Sequence, residues 1–199
     1  MRRDLVSLVL DLLQTLRIAT ALIIGEILHA KGLYKNLHSA RVQAQKILNE
    51  LSLTKQIEKY QGFYRALDCQ SNYDTHAELL TQNLTEILKL NISSIVFREH
   101  TITSIGLRPD ALVLLKKGEQ GLCFVLEVVH NETEQYLKNK IDAWRYWENA
   151  CIYLSRLFGF KIPHFLFVVA GDLEIAGTTK FEHLMQEVKS HVEAHSLQK

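Results

Sequence analysis

The sequence is poor in the features that announce special chemistry. It has three cysteines, Cys69, Cys123 and Cys151, in 199 residues. They are odd in number, far apart and without CxxC spacing, so neither a disulfide framework nor a cysteine zinc site is expected. Reduced cysteines in a cytosolic protein are what remains. The nine histidines show no HxH or HExxH pairing, so His76 and His130 read as hydrogen-bonded structural residues and not zinc ligands. No run approaches the roughly 18 apolar residues that a membrane span needs, and no membrane partner is expected. The opening "MRRDLVSLVLDLLQTLR" starts basic, but Asp4, Asp11 and Gln14 interrupt its apolar run. No small-residue cleavage site follows, which argues against a secretory leader. An excess of one charge is missing as well, since the net charge is only +1. With 47% hydrophobic and 23% charged residues, the composition is that of an ordinary globular, cytoplasmic protein. The length allows one good core or two small ones.

That near-neutral balance hides an asymmetry. Residues 1–70 carry 10 Lys and Arg against 6 Asp and Glu, whereas residues 71–199 carry 13 against 16. A basic half joined to a mildly acidic half suggests an anion-binding module on a different kind of domain. The polar stretch "LDCQSNYD", residues 67–74, is the expected junction, giving domains 1–70 and 71–199.

In the first half, Leu5, Leu8, Leu12 and Leu16 recur at helical spacing. A second helix is expected near "ATALIIGEILHA", with Gly32 as its stop. A third begins at Asn36, a good N-cap residue, and turns Ala40, Ala44, Ile47, Leu48 and Leu51 to one face. Its opposite face displays His38, Ser39, Val42, Gln45, Lys46 and Asn49, with Arg41 on the flank. Next come two short β-prone runs around Gln61-Gly62, carrying Lys55, Lys59 and Arg65. Three helices followed by a basic hairpin is the order of a winged helix-turn-helix, in which the third helix enters the major groove of double-stranded DNA. Polar side chains would meet base edges, and Lys and Arg would meet phosphates. The alternative is a plain helical subdomain whose polar face is simply solvated. The first helix carries Leu5, Val6, Leu8, Val9, Leu10, Leu12 and Leu13, too many for one stripe. It should therefore be buried on several sides, against a second subunit or the C-terminal domain, and a homodimer is expected.

The second half reads as an α+β domain. A helix over "DTHAELLTQNLTEILKL" buries Ala77, Leu80, Leu84, Ile87 and Leu88. Strands follow at "SSIVFREHTI", "DALVLLKK" and "GLCFVLEVV", the last two joined by a turn over residues 117–121. One long helix or two, a buried strand at "HFLFVVAG" and a closing amphipathic helix complete a mixed sheet flanked by helices. The aromatic cluster Tyr136, Trp144, Tyr146 and Trp147 is expected in core and interface packing.

This order resembles the PD-(D/E)xK nuclease-like fold. Pro109-Asp110 and Glu127 match its two carboxylates, which converge at one sheet edge and can hold magnesium (Mg2+) beside a scissile phosphate. Position 129, where that fold carries its lysine, is Val. Lys140 on the following helix, ahead of Lys138, is placed to reach the site, and Glu86 could add a carboxylate. Asp110 also suits a turn carboxylate capping backbone donors after Pro109.

Over nearly its whole length the chain further resembles the replication-relaxation family of plasmids and conjugative elements. The stretches that carry the resemblance are "RRDLVSLVLDLLQTLRIATALIIGEIL", "FYRAL", His76 ahead of Leu79 and Leu84, "REHTITSIGLRPDALVL", "FVLEVVHNETEQYLKNKIDAWRYW" and "HFLFVVAG". The resemblance implies an N-terminal winged helix and a nuclease-like C-terminal half. It implies a DNA-binding role in plasmid replication, mobilisation or its regulation, with a replication or relaxase protein as partner. The family carries an acidic residue two after the strand glutamate, where this chain has Val129. An inactive nuclease-like half is therefore the leading expectation, with a Mg2+-dependent endonuclease (catalytic Asp110, Glu127 and Lys140) and a transcriptional regulator as alternatives.

Overall fold

A computed structural model describes residues 2–67, 69, 75–103 and 105–196. The chain is mixed α and β and divides into two compact units, Met1–Asn91 and Ile92–Lys199. Among the described residues no helix is long and apolar enough to cross a membrane.

The first unit runs α1 (Arg2–Leu16), β1 (Ile18–Ala19), α2 (Ala21–Ala30), α3 (Leu37–Leu53), β2 (Ile57–Tyr60), β3 (Phe63–Ala66) and α4 (Thr75–Lys89). Thr20 starts α2 by accepting a hydrogen bond from the Ile23 amide at 3.3 Å. Asn36 starts α3 in the same way, its Oδ1 accepting from the Ser39 amide at 2.8 Å. Both caps satisfy amides that have no partner inside the helix. Gly32, at φ 72°, follows α2 in the left-handed region. The expected inner face of α3, Ala40, Ala44, Ile47, Leu48 and Leu51, is buried. Helices α2 and α3 cross closely at Gly25, where a Cβ would stand 2.8 Å from the Arg41 Cα.

The hairpin forms where expected. Gln61 and Gly62 both have positive φ, 47° and 87°, as a two-residue turn matched to strand twist requires. The short β1 was not foreseen. It pairs with β3, Ile18 opposite Arg65 and Ala19 opposite Tyr64, and the sheet order is β1-β3-β2.

Helix α4 buries Ala77, Leu80, Leu84, Ile87 and Leu88 as expected, but it packs on α1 and α2. It thus belongs to the first compact unit, which ends at Asn91, whereas the sequence reading began the second domain at residue 71. Most of the expected junction, residues 68 and 70–74, lies outside the described residues. In α1, Val9, Leu12, Leu13 and Leu16 are buried. The helix touches α2, α3, β1, β3 and α4, so its broad apolar surface meets cover on several sides within the unit itself.

The second unit contains β4 (Ser93–Arg98), β5 (Ala111–Lys117), β6 (Gln120–Val128), α5 (Glu134–Arg145), α6 (Ala150–Phe158), β7 (Leu166–Ala170), β8 (Thr179–Lys180) and α7 (Phe181–Ser196). Its sheet order is β4-β5-β6-β7-β8. The first three strands are antiparallel neighbours, and β7 and β8 add in parallel. Leu112, Leu114, Cys123 and Val125 pack against Trp144 and against Ala150, Leu154 and Phe158 of α6. Leu137 and Ile141 of α5 meet Val169 and Ile175. Of the expected aromatic cluster only part is core: Trp144 is buried and stacks obliquely on Trp147 at 5.7 Å. Tyr136 is 55% exposed and Tyr146 82%, because both fall on the outer face of α5 and its C-cap. Cys69 and Cys123 are buried and Cys151 half-buried, all free thiols.

Candidate functional site

The β5–β6 register makes the first candidate site. Ala111 stands opposite Leu126, so Asp110 and Glu127 are the next facing positions at the same sheet edge. Asp110 Oδ2 accepts a hydrogen bond from the Val128 amide at 2.7 Å. Its carboxylate therefore clasps the neighbouring strand. Glu127 is only 4% exposed.

Lys140 reaches this edge from α5. Thr133 caps that helix, its hydroxyl accepting from the Tyr136 amide at 3.2 Å. Leu137, Ile141 and Trp144 face the core, and Lys140 falls on the same side. Its Nζ donates to Glu127 Oε2 at 2.5 Å, with side-chain exposures of 14% and 5%. Lys138 is exposed instead. Glu86 is on α4 in the other unit, where it pairs with Lys89 at 2.6 Å.

Position 129 holds valine for a packing reason. Val129 is half-buried against the Leu137, Ile141, Val169 and Ile175 cluster. Its amide donates to the Ala170 carbonyl at 2.8 Å. A lysine there would have to bury its stem among those aliphatic groups.

The electrostatics follow from burial. Removal from water pushes the Glu127 carboxyl up to about 8, the nearby Asp110 carboxylate adds to the rise, and Lys140 opposes it. Burial also works against the Lys140 ammonium, but the Glu127 and Asp110 carboxylates outweigh it and hold Lys140 above its ordinary value. The lysine is thus held cationic, and Glu127 takes up a proton more readily than an exposed carboxylate would. Glu127 Oε1 is buried with no hydrogen-bond partner. Among the described residues there is no group of three or more His, Cys, Asp and Glu side chains able to hold a metal ion.

The second candidate site is the outer face of α3 with the β2–β3 hairpin. His38, Ser39 and Lys46 are exposed on α3, and Lys55 is exposed just after it. Other residues expected to face a ligand are engaged within the unit. Gln45 Nε2 donates to the Tyr64 hydroxyl and, at 3.2 Å, to Asn49 Oδ1. The Tyr64 hydroxyl donates to Asn49 Oδ1 at 2.7 Å. Lys59 joins the same oxygen at 3.4 Å and sits 5.4 Å from the Tyr64 ring centre. This network braces α3 against the hairpin.

Arg41 Nη2 pairs with Glu26 on α2 at 3.3 Å. Arg65 pairs with Glu58 across the hairpin at 2.7 Å and lies 5.4 Å from the Tyr60 ring centre. The pairing lowers the Glu58 carboxyl and raises the Arg65 guanidinium. Sequence reasoning missed the Tyr64 brace. Its one signal was a tyrosine on the inward phase of the run "FYRA".

Comparison with family models, with characterised proteins and with solved structures finds no match for this chain.

Proposed function

We propose that the first unit is a winged helix and that the chain acts as a DNA-binding protein. The observation that carries this is the element order α1-β1-α2-α3-β2-β3 with sheet order β1-β3-β2. That order sets a hairpin bearing Lys59 and Arg65 beside α3, whose outer face exposes His38, Ser39 and Lys46. In such modules the third helix enters the major groove and the hairpin meets the backbone. Exposed lysines neutralise phosphates, and His38 and Ser39 can both donate and accept at base edges. On this reading the second unit is a nuclease-like scaffold. The resemblance to replication-relaxation proteins gives the role: replication, mobilisation or regulation of a plasmid or other mobile element. A replication or relaxase partner belongs to the same reading and rests on the resemblance, whereas the homodimer rests on the apolar breadth of α1. The test is titration of labelled duplex DNA with the full chain and with a variant changed at Lys46, Lys59 and Arg65. Lost affinity in the variant supports the reading, and equal affinity contradicts it.

A second reading, a metal-dependent endonuclease targeted by the same unit, is favoured by one observation. The Lys140 ammonium reaches the carboxylate edge at 2.5 Å from Glu127, supplying from the helix the charge that Val129 lacks. Asp110 and Glu127 offer the hard oxygen donors that Mg2+ takes, and the unpartnered Glu127 Oε1 is an atom that a cation would satisfy. These two residues would hold the ion, and when bound it would activate water and neutralise phosphate charge. Lys140 would orient Glu127 and bring positive charge to a developing oxyanion. Binding without cleavage stays the lead, because Glu127 is already closed by Lys140 and Asp110 is bonded to the Val128 amide. Nicking of supercoiled DNA with magnesium or manganese, abolished by Asp110→Ala and by Glu127→Ala, would reverse that order.

A further inference from the structure

In its middle turns the outer face of α3 carries one apolar side chain among polar ones; Leu53, 84% exposed, is the last residue of the helix. Val42 is 55% exposed in the middle of the helix, one turn after His38 and Ser39 and one turn before Lys46. Isolated exposed aliphatic groups are ordinary on protein surfaces, but the position of this one is not. Valine is a weaker helix former than the lysine, glutamate or alanine that serve a solvated face. In a helix its χ1 is nearly fixed, so its two methyl groups point in set directions.

The polar neighbours that could read bases are depleted around it. Arg41 is paired with Glu26, and Gln45 and Asn49 are held by Tyr64. The exposed group on this stretch of helix is His38, Ser39, Val42 and Lys46.

Resting on the winged-helix reading above, we propose that Val42 is a specificity-determining residue. It packs against the 5-methyl group of a pyrimidine in the major groove, either thymine or 5-methylcytosine. Among the major-groove base edges of unmodified DNA only thymine presents an apolar group, its C5 methyl. Methylation of cytosine at C5 creates the same surface. The rest of the edge is hydrogen-bonding, and a valine cannot read it. Val42 thus fixes where a methyl-bearing pyrimidine must stand relative to the phosphates met by Lys46.

The experiment selects duplexes from two random pools with the full chain, one pool unmodified and one with 5-methylcytosine in place of cytosine. Each thymine of the enriched site is then replaced by uracil, or each 5-methylcytosine by cytosine, and affinity is measured for wild type and Val42→Ala. The expected result is one position at which loss of the methyl group weakens wild type about three- to fivefold, the worth of burying one such group. Val42→Ala should lose the same factor on the methylated site and be indifferent to the methyl group. Which replacement carries the effect, thymine by uracil or 5-methylcytosine by cytosine, identifies the pyrimidine. The unchanged melting temperature expected of Val42→Ala separates contact loss from misfolding, and the base-replacement arm leaves the protein untouched. Sequence-specific binding by wild type that ignores every pyrimidine methyl group would overturn this inference while leaving DNA binding intact. Failure to bind any duplex would take the proposed function with it.

Discussion

The ammonium of Lys140 lies 2.5 Å from Glu127 Oε2, with both side chains largely withdrawn from water. A buried pair of this kind is costly to break from one side, because the remaining charge is left without a partner. Replacing both members with apolar groups of similar size is often neutral.

Lys140→Met is therefore expected to destabilise the second unit by about 3 kcal/mol, near the low end for broken buried pairs because Glu127 can take up a proton. The double variant Lys140→Met/Glu127→Leu should recover most of that loss. Urea denaturation of wild type, both single variants and the double variant measures the coupling. A double variant no more stable than Lys140→Met would show that the pair is not the determinant.

The raised Glu127 carboxyl has a pH signature. In the unfolded chain it titrates near its ordinary value of 4.5, and in the folded chain near about 8. Folded protein thus holds a proton that unfolded protein has lost across that window. Its contribution is fully present below about 4.5, falls as pH rises towards 8, and is flat above. The difference in urea midpoint between wild type and Glu127→Gln should shift against wild type over this range. A difference that does not vary with pH would contradict the assignment.

The Tyr64 hydroxyl joins Gln45 and Asn49 on α3 to the hairpin. Tyr64→Phe leaves those two amides short of a partner in a half-buried place, a loss of about 1–2 kcal/mol. Thermal unfolding checks the stability. DNA affinity should fall as well, because the hairpin loses its fixed attitude to α3. Unchanged affinity in a destabilised Tyr64→Phe would separate the brace from binding.

Gly25 is the point where α2 and α3 touch. A methyl group there would stand 2.8 Å from the Arg41 Cα, and backbone on a neighbouring helix cannot yield as a flexible side chain can. Gly25→Ala should cost about 1–3 kcal/mol despite the better helix propensity of alanine. A stabilised variant would show that the helices have room to part.

Much of this could be read from the sequence because it is local. The inner face of α3 follows from a 3.6-residue period, its start from Asn36, and the hairpin from Gln61-Gly62. The facing of Asp110 and Glu127 follows from a tight turn between two strands. What could not be read depends on partners distant in the chain. Two-residue β1 exists only because β3 pairs with it. Helix α4 has the apolar stripe foreseen, but no stripe says which surface will cover it. Gln45 and Arg41 looked available on a helical projection, yet Tyr64 and Glu26 engage them from other elements. Lys140 was favoured over Lys138 on reach, and its phase with Leu137, Ile141 and Trp144 follows from the helical period, but its pairing with Glu127 depends on another element.

The central claim is that the first unit binds duplex DNA through α3 and the hairpin. Its most direct test is the salt dependence of duplex affinity for wild type and for Lys46→Ala/Lys59→Ala/Arg65→Ala. Each phosphate contact contributes about 0.9 to the slope of log affinity against log salt. The triple variant should bind more weakly, with a slope shallower by about 2 to 3. Equal affinity and equal slope in the two proteins would contradict the account.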